Sequence, residues 1–179
     1  MNLPTTGLSS PAEFPLSTAA ASPRRWWWLA WLPTLLWLGV LASFSTDTFS
    51  ANHTGSVLLR IIHALYGNIS HHRFEQIHFL VRKAAHFGSY GLLGFLAFYS
   101  WRSTLPALPR WSVRWSALAL LTVLAAASLD EFHQSFVPSR TGSWRDVALD
   151  MTGALFFQLV ILVFARLRGR ALNAKQPNR

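Results

Sequence analysis

Apolar residues along this chain gather into four long runs, over residues 26–44, 84–101, 115–137 and 147–166, separated by stretches rich in Arg, Ser, Pro and His. Each run is close to the roughly 20 residues that a helix needs to cross about 30 Å of hydrocarbon. The pattern predicts an all-α integral membrane protein built as a four-helix bundle. Between the first two runs, Val57, Leu58, Ile61, Ile62 and Leu65 recur at helical spacing. That spacing predicts a short amphipathic helix in the first outer loop, lying on the membrane surface.

The polar positions inside and beside these runs carry more information than the runs themselves. Lys83, His86, Asp130, Glu131, His133, Asp146 and Asp150 all fall there. A charge at membrane depth is unfavourable by about 2.5–3.5 kcal/mol on insertion scales, so these side chains are expected to share one polar site. In the second run, spacings of three, four and seven put Lys83, His86 and Tyr90 on one helix face. Gly88, Gly91 and Gly94 make a neighbouring strip smooth enough for another helix to approach closely. At the end of the third run, Asp130, His133 and Gln134 stand at i, i+3 and i+4, while Glu131 lies about 100° round the axis. The fourth run opens with Asp146 and Asp150 one turn apart, continued by Gly153 and Phe157, with Ser143 placed to cap the helix. The helix dipole accounts for an acid at Asp146, but Asp150 lies a turn deeper.

Each of these residues also has a structural explanation. Lys83 can snorkel to the headgroups, His86 can be a packed, hydrogen-bonded histidine, and the acids can form an ion-pair network that fixes helix packing. Two adjacent acids, Asp130 and Glu131, are a costly means of packing at membrane depth, and this favours a functional site. Its ligand-binding set is read as Lys83, His86, Tyr90, Asp130, Glu131, Gln134, Arg140, Asp146 and Asp150. Arg140 offers a planar fork to a phosphate or carboxylate. His86, Asp130, Glu131 and His133 are the candidates for acid–base catalysis.

Composition agrees with a membrane chain: of 179 residues, 51% are hydrophobic and only 13% charged. The net charge of +9 argues for membrane orientation rather than nucleic-acid binding, because the basic residues fall mainly between and after the apolar runs. With the N-terminus inside, Arg24, Arg25, Arg102, Arg110, Arg114, Arg166, Arg168, Arg170, Lys175 and Arg179 are cytoplasmic, ten basic residues against six outside. Both termini are therefore expected in the cytoplasm and the polar cluster at the outer face. Trp26, Trp27, Trp28 and Trp31 mark the interface where the first helix starts. Residues 1–25 read as a disordered cytoplasmic tail, 26–168 as the transmembrane domain and 169–179 as a basic tail. The first run is read as an uncleaved anchor, being too long and tryptophan-rich for a signal peptide.

The absence of cysteine excludes disulfides, thiolate metal sites and cysteine nucleophiles. His53, His63, His71, His72 and His78 crowd the first outer loop, where they read as solvated side chains, so no metal or cofactor is expected. There is no His-Glu-x-x-His, Gly-x-Ser-x-Gly or glycine-rich phosphate loop. A membrane hydrolase or transferase using His and carboxylates therefore stands as the alternative to a binding site. A proton-coupled small-solute carrier is a third reading, although the polar residues crowd one side and no repeat is evident. Oligomerisation is left open.

The series Lys83-x-x-His86-Phe87-x-x-Tyr90, then Asp130-Glu131-x-His133-Gln134-x-Phe136-x-Pro138-x-Arg140, then Asp146-x-x-x-Asp150-x-x-Gly153 resembles the VanZ-like family of bacterial membrane proteins. Many relatives have asparagine where this chain has Asp150. The resemblance implies a multi-pass protein of the bacterial inner membrane and, through the family's namesake, an association with resistance to the glycopeptide teicoplanin. It implies no established catalytic residues. Combined with the outward cluster, it leads to an expected partner: an anionic membrane lipid or lipid-linked cell-wall precursor, bound or modified at the outer leaflet.

Overall fold

Pro33 stands in the first turn of helix α1 (Leu32–Phe44), where its missing N–H leaves no intrahelical bond unmade. A 3-10 turn, Trp27–Trp31, leads into it. The computed structural model describes residues 27–45, 51–105, 111–137 and 142–174. The N-terminal tail, Trp26 and Arg140, all singled out by the sequence, lie outside the described residues, as does the end of the basic tail.

Four further helices follow: α2 (Ala51–Tyr66), α3 (His71–Thr104), α4 (Val113–Gln134) and α5 (Trp144–Ala174). No strand occurs among the described residues. Gly67 ends α2 with φ of 72°, donating its N–H to the His63 carbonyl at 3.1 Å. Glycine adopts this left-handed conformation without the Cβ penalty and stops the helix there. Serines open the later helices: Ser112 accepts the Arg114 N–H, and Ser143, as expected, accepts the Arg145 N–H at 3.3 Å.

One expectation needs correction. The hydropathy pattern treats residues 45–82 as a long connection, but α3 begins at His71 and runs unbroken for 34 residues. Arg73, Glu75, Arg82 and Lys83 lower the apolarity of its first third without interrupting its helical phase. Among the described residues, three stretches are long and apolar enough to cross a membrane: Trp27–Phe44, Val113–Gln134 and Trp144–Ala171. α3 falls below that level of apolarity because His86, Ser89, Tyr90 and its glycines interrupt its run.

α3 sits at the centre, packed on both α4 and α5, which also pack on each other. Its buried face supplies Tyr90, Leu93, Ala97 and Phe98. One core layer joins Tyr90 and Leu93 to Val123, Ala127 and Ala154. A second joins Ala97 and Phe98 to Trp115, Ala119 and Ile161. The pairing order makes α5 parallel to α3 and α4 antiparallel to it. α1 leans on α3, held by Trp31 Nε1 on Thr104 Oγ1, Thr34 on Ser100 and Trp37 Nε1 on the Ser89 carbonyl.

Two glycines of the expected strip make the α3–α5 seam. A Cβ on Gly91 would meet the Phe157 ring at 2.5 Å, and one on Gly94 would meet the Ala154 Cβ at 3.2 Å. Gly88 is not part of it, having nothing within 4 Å of a Cβ. Facing them, Gly153 brings α5 against the Phe87 carbonyl. Gln158 Nε2 then donates across the seam to the Gly94 carbonyl at 2.9 Å.

Candidate functional site

The stripe Lys83, His86 and Tyr90 on α3 meets a different carboxylate at each step. Lys83 Nζ donates to Asp146 Oδ1. His86 Nδ1 lies 3.3 Å from Asp150 Oδ1. Tyr90 Oη donates to Asp130 Oδ2 at 2.9 Å. Because α5 runs parallel to α3, three residues on one helix and four on the other advance both by about a turn, which matches the first two pairs in depth. The third partner comes from the end of α4.

Asp130 Oδ2 also accepts Gln134 Nε2 at 3.0 Å, the i, i+4 bond that the spacing allows. Glu131 points elsewhere: its Oε2 accepts the backbone N–H of Ser143 at 2.6 Å, tying the end of α4 to the start of α5. Gly142 makes that approach possible, since a Cβ there would stand 2.5 Å from the Glu131 carbonyl. His133, expected on the Asp130 face, is exposed at the helix end, with Nδ1 3.4 Å from Ser45 Oγ.

Burial gives these acids their weight. Asp150 is 0% exposed and Glu131 6%. His86 Nδ1, Glu131 Oε1 and both oxygens of Asp150 are buried without an aligned hydrogen bond among the described residues. The His86–Asp150 approach is therefore a close polar contact with poor hydrogen-bond geometry. Buried polar atoms are nearly always satisfied, so four without an aligned partner single this cluster out within the bundle. Rings shield it: His86 stacks on Tyr90 with centroids 6.2 Å apart, and Lys83 Nζ lies 5.5 Å from the Phe79 centroid.

Beside the cluster runs an open groove of about 380 Å³. Leu38, Leu41, Ala126 and Leu129 line its walls, while Ser45, Tyr90, Asp130 and His133 contribute its polar lining.

The structure thus brings together Lys83, His86, Tyr90, Asp130, Glu131, Gln134, Asp146 and Asp150. Among the described residues no group of three or more His, Asp or Glu side chains is placed to hold a metal ion. The loop histidines keep local company, His71 with Glu75 at 3.7 Å and His72 with Gln76 at 3.1 Å. Sequence reasoning missed the Ser143 N–H, Ser45 and Gln158. A lone amide within an apolar run was a readable signal for the last of these; the other two depend on chain crossings.

No curated protein and no solved structure matches the chain. The VanZ/LLP1 family model matches it over residues 28–165, a span that contains every helix-borne residue of the cluster, and the chain therefore belongs to the VanZ-like family.

Proposed function

We propose that this chain is a multi-pass protein of the bacterial inner membrane which binds or modifies the anionic head of an envelope lipid or lipid-linked cell-wall precursor at its polar end. The observation that carries this reading is the meeting of the middle of α3 with the end of α4 and the start of α5 in one largely buried cluster, Lys83–Asp146, His86–Asp150 and Tyr90–Asp130, beside a groove with apolar walls. In this reading α3 makes a fourth crossing, its polar face covered by α4 and α5, and the excess of cytoplasmic basic residues sets both termini inside. Arg140 supplies the fork for the anionic group. A link to glycopeptide resistance follows from the family alone and requires that the bound molecule belong to the cell wall.

The test is to purify the protein in native lipid particles and identify its lipids by mass spectrometry, beside Arg140→Ala and Asp130→Asn at equal folded yield. Enrichment of one lipid or wall precursor in the wild type, lost in both variants, is expected. A bulk-membrane profile in all three sinks the reading.

α2 is assigned to the outer membrane surface. Val57, Ile61 and Leu65 are exposed there, while Ile62 is buried against the protein. Since the chain has no cysteine, single Val57→Cys, Ile61→Cys and Arg60→Cys variants report on this directly. A membrane-impermeant maleimide should label Arg60→Cys in intact spheroplasts at least several-fold faster than the other two. Equal rates would remove α2 from the surface.

A further inference from the structure

We propose that the groove between α1 and α4 seats an amine-bearing phospholipid, with its ammonium on Asp130 and one hydrocarbon chain along Leu38, Leu41, Ala126 and Leu129. This rests on the lipid-headgroup reading above and specifies the chemistry of the head.

The groove has the shape of an amphiphile. α1 leans on α3 rather than on α4, so a slot remains between two helices that both present apolar side chains. Its volume of about 380 Å³ lies within the roughly 300–1,000 Å³ range of small-ligand clefts. Ser45 ends α1 and His133 lies in the last turn of α4, so these two polar residues mark one end of the slot. A chain along the walls therefore carries its head to Asp130.

Charge selects the head. Four carboxylates gather at this end of the bundle, and Lys83 and His86 are already opposite Asp146 and Asp150. Glu131 is turned to the Ser143 N–H. Asp130 receives only neutral donors, the Tyr90 hydroxyl and the Gln134 amide, among the described residues. It is the one of the four acids that lines the groove. An ammonium N–H on a carboxylate makes a charge-assisted hydrogen bond, roughly twice as strong as a neutral one. A choline head has no N–H to give, and a bare phosphate meets like charge. An aminophospholipid supplies the N–H donors that Asp130 can accept.

Native mass spectrometry of the full chain with phosphatidylethanolamine, phosphatidylcholine and phosphatidic acid of identical acyl chains tests this. Retention of phosphatidylethanolamine at least tenfold above phosphatidylcholine is expected, falling to near parity in Asp130→Asn. Ala42→Phe, which fills the groove from an exposed wall position of α1, should lower that retention severalfold. Should Asp130→Asn fail to fold, the wild-type ratio and Ala42→Phe decide between them. Equal retention of the ethanolamine and choline lipids, or preference for phosphatidic acid, overturns the ammonium assignment and leaves a headgroup site standing. Undiminished retention in Ala42→Phe overturns the groove, and no saturable retention of any lipid overturns the headgroup reading as well.

Discussion

Gly153→Leu leaves little or no folded protein in the membrane, whereas Gly39→Leu on the exposed side of α1 is tolerated. The reason is geometric. A Cβ at Gly153 would lie closer to the Phe87 carbonyl oxygen than real Cβ atoms approach, and the Phe87 Cα and carbonyl carbon stand just behind it at 3.1 and 2.9 Å. Backbone cannot swing aside as a flexible side chain can, so α3 and α5 must part. That separation also pulls Gln158 from the Gly94 carbonyl and lifts Phe157 from Gly91. Overpacking a core typically destabilises by about 1–3 kcal/mol, and a branched side chain driven into a helix backbone belongs at or above the top of that range. Gly39 has nothing within 4 Å of a Cβ. Fluorescence-detected size exclusion at equal expression separates the two outcomes, and a monodisperse Gly153→Leu peak of wild-type height would refute the tight seam.

His86→Ala is the second large effect, because it takes away the side chain facing a fully buried carboxyl group, and removing one partner of a buried pair typically costs about 3–5 kcal/mol. Asp150 is 0% exposed, and neither of its oxygens has an aligned hydrogen bond among the described residues; His86 Nδ1 faces it at 3.3 Å. The double variant His86→Leu with Asp150→Leu should recover most of the loss, since it removes both desolvated groups and leaves packed hydrocarbon. Asp150→Asn should be mild, since it keeps the side-chain shape and removes a group whose charge is out of water. Thermal unfolding of the wild type, His86→Leu, Asp150→Leu and the double variant in lipid particles gives the coupling through a double-mutant cycle. Additive losses, or a double variant as unstable as His86→Leu alone, would show that the two side chains are not energetically coupled. A binding role separates from this stability effect: the double variant would be folded yet altered in lipid retention.

Much of the helix arrangement was legible because a helix repeats every 3.6 residues and a membrane demands long apolar runs. The stripe Lys83, His86 and Tyr90 and the acids on α4 and α5 were readable for the same reason, as charge set among hydrocarbon residues. Partnership was not. The spacing of Asp130, His133 and Gln134 suggests one functional face, yet only Asp130 and Gln134 bond to each other, while His133 stands beside Ser45 at the helix end. Glu131 was readable as lying round the axis, but its bond to the Ser143 N–H depends on how the chain turns between α4 and α5. The start of α3 was hidden because hydropathy measures transfer to hydrocarbon and is silent about helical continuity in charged segments. Gly91 and Gly94 were readable as a close-approach strip, but the partner's contribution at Gly153 and Phe157 was visible only as a helix face.

The continuity of α3 has one more implication. A helix of 34 residues is about 51 Å long at 1.5 Å per residue, well beyond the roughly 30 Å of the hydrocarbon layer. Near one end it seats α2, where Gly55 lies against the His78 ring, and little more than one turn later it presents Lys83 to α5. No proline or break separates the two, so they are held in angular phase like marks on one axle. A rotation of α3 itself would carry the seat of α2 and the lysine, histidine and tyrosine round together.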